Sequence, residues 1–463
     1  MRDIGQPRIS TRWVCKNIEE NSDVAKGFHD TETDEVRNDS PTCSKEGLRM
    51  AYGIMISLGW TCRSMDIKTA FLQSKQFDRL VYLNPPREAN VPSGYIWKLL
   101  KCVYGLTDAS RSWYLTVKDE LLKLKAESSK YDEAIFTWYY QNKLHGIITI
   151  HVDDFCFGGS KIFQTSVIDK LRKIFKVKSE DVAEFKYLGL EVKQNEGNIR
   201  LGQDEYVKKL RPIPIANNRN NEDDISTSEV TEIRKLIGQL NWLATQTRPD
   251  LCFDVSDLSS TLKQRNVDCI KQVNKTIKKA KKEKSQINIP DLGRLENLRI
   301  VAYSDASFAN LKDGGSQGGY TIFLVGSNNN YMPIAWQSKR IKRVVKSTLA
   351  AETLAMVDLA EACVFYRKLL LDLLHLEDTK ENIPIACKTD NSCMYDSVHS
   401  TTQILDKRLR IEMAILREML NKNELSCISW IPTEVQVADA LTKKGVPSFK
   451  ILGYMSEPKV PSV

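Results

Sequence analysis

Two adjacent acids, Asp153 and Asp154, interrupt a stretch that otherwise reads as buried sheet, Gly146-Ile-Ile-Thr-Ile-His-Val-Asp-Asp-Phe-Cys-Phe-Gly158. The β-branched and aromatic residues on either side predict two short strands with the acids at the turn of a hairpin. Like charges in that setting repel one another and lose hydration, so something of opposite charge has to offset them. A pair of divalent ions with a triphosphate would do so, since two-metal sites use carboxylates to hold the ions that stabilise attacking and leaving oxygens. An ordinary Asx turn at the hairpin tip is the plainer alternative. Val-Asp-Asp alone does not choose between them, which directs attention to the other acids of the chain.

Asp66 is a third carboxylate at the end of a strand-like segment, Ser64-Met-Asp-Ile-Lys-Thr-Ala-Phe-Leu72. Farther along, Asp305 ends the apolar run Arg299-Ile-Val-Ala-Tyr-Ser-Asp305, and Asp390 ends Ile383-Pro-Ile-Ala-Cys-Lys-Thr-Asp390. Glu352 lies among apolar helix residues, Thr348-Leu-Ala-Ala-Glu-Thr-Leu-Ala-Met356, where a charge is costly unless paired or metal-bound. Asp439, in Gln436-Val-Ala-Asp-Ala-Leu-Thr-Lys443, completes a strand-helix-strand-helix series of four.

At 463 residues the chain exceeds what one core usually supports, so two or three domains are expected. Hydrophobic residues at 42% and charged residues at 27% indicate a globular protein rather than a disordered or membrane-embedded one. A net charge of +8 suits a polyanionic partner. No signal-peptide pattern and no run of about 18 apolar residues is found, which points to an intracellular protein with no membrane partner. The 11 cysteines contain no C-x-x-C pair and the 5 histidines no Cys/His spacing, so a reducing compartment is expected and a zinc site is not.

Residues 48–60 suggest a helix, and 65–202 a mixed α/β pattern in which Phe185–Lys193 and Asn198–Leu201 form a second hairpin. A polar loop over 211–228 precedes helices over 232–244 and 250–284, the latter ending in the basic run Lys278–Lys284. Past a boundary at 290–294 come three strands, a long helix over 347–375, a strand, helices, a strand and a last helix: a mixed sheet covered by helices. The glycines at 314, 315, 318 and 319 read as a turn before a strand, not a phosphate cradle.

With Trp97-Lys-Leu-Leu-Lys-Cys-Val-Tyr-Gly-Leu-Thr-Asp-Ala-Ser-Arg-Ser-Trp-Tyr114 between the first acid and the acid pair, the chain closely resembles the reverse transcriptase of copia-type LTR retrotransposons. The ordered motifs are Met-Asp-x-Lys-Thr-Ala-Phe-Leu, Lys-x-x-Tyr-Gly-Leu-x-x-Ala-x-x-x-Trp and Val-Asp-Asp. The four later acids, with Gln337-Ser-Lys-Arg340 and Ser347-Thr-Leu-Ala-Ala-Glu352, resemble the RNase H centre of the same elements.

The resemblance implies an α/β (α+β) chain: a right-hand polymerase of fingers, palm and thumb, followed by an RNase H-like mixed-sheet domain. Fingers and palm would occupy 1–202, thumb or connection helices 203–295, the RNase H-like domain 296–445 and a tail 446–463. It implies two Mg²⁺ ions per site, with Mn²⁺ as a substitute, held by Asp66, Asp153 and Asp154 and by Asp305, Glu352, Asp390 and Asp439. Phe71 would crowd a ribose 2′-hydroxyl unless it is simply core, and Gly105 would let template or incoming base approach the backbone. Lys26 would reach the triphosphate, while Trp113 reads as core. Partners would be an RNA template, a DNA primer, an RNA–DNA hybrid and deoxynucleoside triphosphates, in the cytoplasm, in a virus-like particle or in the nucleus.

Two departures stand out. The Lys-Ala-Arg-Leu-Val-Ala-Lys-Gly-Phe of the fingers appears only as Ser22-Asp-Val-Ala-Lys-Gly-Phe28, and the His-x-Arg-Thr-Lys-His stretch of many relatives is Leu405-Asp-Lys-Arg-Leu-Arg410. They leave open an inactive nucleic-acid-binding remnant, or RNase H activity alone. With protease, integrase and capsid segments not represented, the chain reads as a portion of a polyprotein, a degenerate copy or a fragmentary gene product.

Overall fold

The computed structural model describes residues 9–15, 21–25, 37–75, 79–86, 89–401 and 404–457. They gather into two compact units, one of residues 1–44 with Arg63–Val182, the other of Lys45–Cys62 with Ala183–Val463.

The first unit contains β1 (Thr11–Cys15), β2 (Asn21–Ala25), β3 (Arg63–Ile67), β4 (Tyr82–Leu83), β5 (Trp97–Lys98), β6 (Ala126–Ser128), β7 (Ile135–Tyr140), β8 (Lys143–His151), β9 (Asp154–Gly159) and β10 (Val177–Val182). Six of these form a sheet in the order β10-β3-β9-β8-β7-β6, every neighbouring pair antiparallel. Ile148, Ile150, Phe155 and Phe157 alternate along β8 and β9 and enter one apolar cluster with Met65 and Ile67. Thr149 and Cys156, on the opposite face, are also fully buried, which is why this hairpin reads as a continuous apolar run. The helix Ala109–Lys123 contributes Trp113, Val117 and Leu121 to the same cluster, spaced four apart on one side.

In the second unit β11 (Glu184–Tyr187), β12 (Leu190–Asn195), β13 (Asn198–Gly202) and β14 (Ile287–Pro290) make an antiparallel sheet in that order. Five further strands, β15 (Arg299–Ser307), β16 (Ser316–Val325), β17 (Tyr331–Ile341), β18 (Ile385–Thr389) and β19 (Cys427–Trp430), form a sheet ordered β17-β16-β15-β18-β19. β15, β16 and β17 pair antiparallel, and β15, β18 and β19 parallel, with the helix Thr348–Leu374 lying against β15, β16 and β18. Three meandering strands followed by helical crossovers give this mixed sheet.

Several elements depart from the sequence reading. The run 185–193 is two strands, because Leu188 and Gly189 both take positive φ, 50° and 73°, and fold β11 onto β12. The single helix expected over 250–284 is two, Cys252–Thr261 and Val267–Lys282; Arg265 is left-handed at φ 50° and the Asn266 side chain caps the second. β14 went unforeseen, since four residues ending in proline carry little pattern. Of the stretch set apart as a tail, Ser448–Ser456 is a helix with Ile451 and Met455 fully buried.

The expected helix near residue 48 spans Lys45–Ser57, and it packs with the second unit although it precedes β3 in sequence. Arg49 explains the attachment. Its side chain, 2% exposed, donates to the carbonyls of Ile334 (2.7 Å), Thr245 (3.0 Å) and Gln246 (2.9 Å) and lies 4.0 Å over the Trp336 ring. Burial brings its pKa down to about 10. The segment 183–202 likewise packs with the second unit, so compactness changes at Val182 rather than at the sequence-drawn border of 202. Replacing Arg49 by Met would strand three carbonyls, and the expected cost is roughly 3 kcal/mol, read from the urea midpoint of unfolding.

Candidate active sites

In the first unit, pairing does the gathering. β3 lies between β9 and β10, and its Asp66 stands opposite Asp154 on β9 and Ser179 on β10. The Ile67 N–H donates to the Asp153 carbonyl at 3.0 Å, which brings the third acid to the same end of the strand pair. β8 and β9 close through His151 opposite Asp154, so only Val152 and Asp153 form the loop. Val152 has φ 56°, a conformation unfavourable for a β-branched side chain and one that two-residue hairpin loops usually give to glycine. Trp113, fully buried as expected for a core residue, also donates its indole Nε1–H to the Val152 carbonyl at 2.7 Å. It is thereby a strut beneath the turn that carries both acids.

The electrostatics follow from this crowding. Burial, then the Asp153 and Asp66 charges, raise Asp154 to about 6. Lys178 works against them: its Nζ is 3.3 Å from Asp66 Oδ2, on β10 where the register slips between Val177 and Ser179. Such a bulge re-aims a side chain, and sequence pattern offers no sign of it.

Phe71, in the short 3₁₀ turn Ala70–Gln73, is 7% exposed and belongs to the apolar cluster, its ring 4.5 Å from that of Tyr104. The Tyr104 hydroxyl is raised by burial and then by the Asp153 and Asp66 charges, so this aromatic pair adjoins the acids. Gly105 follows at φ 91°, a backbone region that effectively requires glycine. Lys26 lies outside the described residues.

The second unit assembles the other four acids. Carboxylate oxygens of Asp305 on β15, Asp390 just past β18 and Asp439 at the start of the helix Asp439–Thr442 lie within 4.8 Å of one another. Glu352, on the long helix, is 4% exposed and its Oε2 has no hydrogen-bond partner. Burial, then the Asp305 and Asp390 charges, raise it to about 9. Asp305 is raised to about 6, chiefly by burial, with Lys443 and Thr442 opposing.

Residues beyond the acids hold this cluster. The Lys443 Nζ lies 2.5 Å from Asp439 Oδ1 and 3.4 Å from Asp305 Oδ1, and the Thr442 hydroxyl donates to Asp305 Oδ2. Burial alone would lower the Lys443 pKa, but the facing carboxylates more than reverse it. Asp390 accepts from Thr433 Oγ1 (2.9 Å) and Gln436 Nε2 (3.2 Å), while Trp430 Nε1–H donates to its carbonyl (3.0 Å). Gly319 pairs with Asp305 across β16, and a Cβ there would come 2.7 Å from Leu441 Cβ and 2.9 Å from Thr442 Cγ2. The glycine lets the helix bearing Asp439 close on the sheet, a purpose its reading as a turn residue missed. In the Leu405–Arg410 stretch, Asp406 caps the helix Lys407–Asn421 through the N–H groups of Arg408 and Leu409.

An uncompensated Oε2 among three converging carboxylates fits divalent cations, which favour clustered oxygen donors and remove the repulsion. In the first unit, backbone pairing brings Asp66, Asp153 and Asp154 to one strand end, but among the described residues only Asp305, Asp390 and Asp439 bring their carboxylate oxygens within 4.8 Å of one another.

The antiparallel sheet with its acids and the mixed sheet with its own have the fold of a right-hand polymerase palm and of an RNase H-like domain. The chain resembles the solved structure of a foamy viral protease-reverse transcriptase, form dRH, in complex with double-stranded DNA: TM-score 0.54, 12% identity, 94% of this chain and 67% of that one. Against the foamy viral protease-reverse transcriptase with an RNA/DNA hybrid the TM-score is 0.53 at 11% identity, over 98% and 52%. Residues 5–222 match the family described as Reverse transcriptase (RNA-dependent DNA polymerase). The Retrovirus-related Pol polyprotein from transposon RE1 of Arabidopsis thaliana is 26% identical over 443 residues, 91% of this chain and 29% of that protein. The Putative transposon Ty5-1 protein of Saccharomyces cerevisiae is 26% identical over 301 residues, 61% of this chain and 94% of that one. The chain is thus similar to the Pol polyproteins of copia-type retrotransposons and spans 29% of the length of the RE1 relative.

Two outcomes are expected. Glu352 has a folded-state pKa of about 9 against an ordinary 4.5, so the folded protein holds a proton that the unfolded chain releases. Its contribution is fully present below 4.5 and is lost as pH rises through about 9, so the metal-free protein loses thermal stability across that window. Glu352→Gln should flatten the slope in melting curves recorded in EDTA; an unchanged slope would assign it elsewhere. Trp113→Phe keeps an aromatic ring but removes the indole donor and part of a fully buried volume, and an expected loss of about 2 kcal/mol or more would show in the urea midpoint.

Proposed function

We propose that the chain carries out two metal-dependent reactions on nucleic acid. At Asp66, Asp153 and Asp154 it would add deoxynucleotides to a DNA primer on an RNA or DNA template, and at Asp305, Glu352, Asp390 and Asp439 it would hydrolyse the RNA strand of an RNA–DNA hybrid. The observation carrying this reading is that Asp305, Asp390 and Asp439, distant in sequence, converge to within 4.8 Å beside the unpartnered Oε2 of Glu352, while strand pairing sets Asp66 opposite Asp154, which burial and the neighbouring acids raise to about 6.

Two Mg²⁺ ions per cluster, or Mn²⁺ in their place, would supply Lewis-acid stabilisation of the attacking and leaving oxygens. The chain's own part is positional. In the first unit the strained Val152 turn, supported by Trp113, holds Asp153 and Asp154 at fixed distance from Asp66, and Gly105 leaves the backbone open to a base. Phe71, braced by Tyr104, would stand against the sugar, and Lys26 would meet the triphosphate. In the second unit Gln436 and Thr433 orient Asp390, and Lys443 would yield its contacts when the cations bind.

In this reading residues 1–202 supply fingers and palm, 203–295 thumb or connection, and 296–445 the RNase H-like domain, acting inside the cell. Among the described residues no helix is long and apolar enough to cross a membrane. The shortened fingers motif favours a second reading, RNA cleavage without DNA synthesis.

Primer extension on an RNA template with Mg²⁺, run beside Asp153→Asn, tests the first activity; the wild type should extend and the variant fall to background. Wild-type extension no better than the variant's would end the polymerase reading. Cleavage of a labelled hybrid that Asp305→Asn abolishes, with extension absent, would select the second.

A further inference from the structure

The positive charge that touches the second unit's acids comes from the chain itself. Lys443 follows Asp439 by four positions, directly after the short helix Asp439–Thr442, and its backbone N–H donates to the Asp439 carbonyl at 3.0 Å. That spacing lets the side chain turn back toward the acids, where its Nζ lies 2.5 Å from Asp439 Oδ1 and 3.4 Å from Asp305 Oδ1. Among the described residues, the ion pairs of this cluster are all made by Lys443. The ammonium thus bridges two of the three carboxylates whose oxygens converge to within 4.8 Å.

A bridge of this kind stands where a divalent ion between the same carboxylates would stand, and it offsets their repulsion only in part. It brings a single positive charge, and it leaves the Oε2 of Glu352 without a partner. An ammonium also offers hydrogen-bond donors alone, so it cannot polarise a water or phosphate oxygen as a metal ion does. The acids are fixed by the fold, with 2% of the Asp305 side chain and 11% of the Asp439 side chain exposed, whereas the Lys443 side chain is 37% exposed. A long flexible stem reaching solvent gives the ammonium somewhere to go when it leaves the carboxylates.

From this geometry we propose that Lys443 is a resident counter-ion of the cluster: without divalent ions its ammonium takes one cation position, and an entering ion has to displace it. The inference rests on the reading of these acids as metal ligands and names what sets their affinity. Entry of the ion exchanges two ion pairs for coordination, so the measured affinity is the intrinsic one reduced by the fraction of molecules whose lysine has swung away. Lys443 is in this sense a positioning residue. Its removal should tighten metal binding, whereas loss of a contact that only supports the fold would weaken binding or leave it alone.

The test is calorimetric titration of the full chain with Mn²⁺, the event belonging to this cluster being the one that Asp305→Asn removes. In Lys443→Met, which keeps the stem and removes the charge, that event should tighten by about tenfold or more, while Lys443→Arg, which keeps the charge, should stay within about threefold of the wild type. Displacement itself is read on the wild type by acetylating its lysines and following Lys443 by mass spectrometry. Its rate of modification should rise severalfold at saturating Mn²⁺, and the rise should be absent in Asp305→Asn. This second measurement decides the matter if Lys443→Met does not fold. An affinity that Lys443→Met leaves unmoved or weakens, or a Lys443 reactivity indifferent to Mn²⁺, would overturn the proposal and leave the metal-binding reading standing. If Asp305→Asn removes no binding event, that reading fails and the counter-ion proposal fails with it.

Discussion

The repulsion among carboxylates held together at the ends of strands is the constraint on which the rest of this structure depends. Folding places Asp66 opposite Asp154 and closes Asp305, Asp390 and Asp439 to within 4.8 Å, at an electrostatic cost that hydrophobic packing has to cover. Both units meet that cost alike. Each raises one acid above the ordinary carboxylate range, Asp154 to about 6 and Glu352 to about 9, and each brings one lysine ammonium against the acids, Lys178 or Lys443.

Rigid surroundings make the arrangement specific. The hairpin bearing Asp153 and Asp154 is buried on both faces, and its two-residue loop forces Val152 into a conformation that the Trp113 indole then supports. In the second unit the approach of the Asp439 helix to β16 is set by the missing side chain of Gly319. Strain at one site and close contact at the other are tolerated because the surrounding sheet determines the geometry.

Much was legible beforehand where pattern and chemistry coincide. The hairpin around Asp153 follows from β-branched and aromatic runs, and the order of the RNase H-like strands and long helix from the alternation of apolar periods. The two-strand break at Leu188 and the division of the 250–284 helix at Arg265 were not, because both turn on positive φ at residues that usually avoid it. Compactness changes at Val182 rather than at 202 because β13 pairs with β14, some ninety residues later, and Arg49 separately ties an early helix to carbonyls nearly two hundred and more residues later.

By itself, then, the sequence determined which acids exist, in what order, and on what kind of element each would sit, since those depend on neighbours within a few positions. Only the tertiary structure decided that they meet, what stands between them and what holds them. Lys178, Lys443, Gln436 and the open Oε2 of Glu352 acquire meaning through register and packing between segments far apart in the chain. Local periodicity carries no record of such long-range contacts, and the balance of charge at both clusters is made of nothing else.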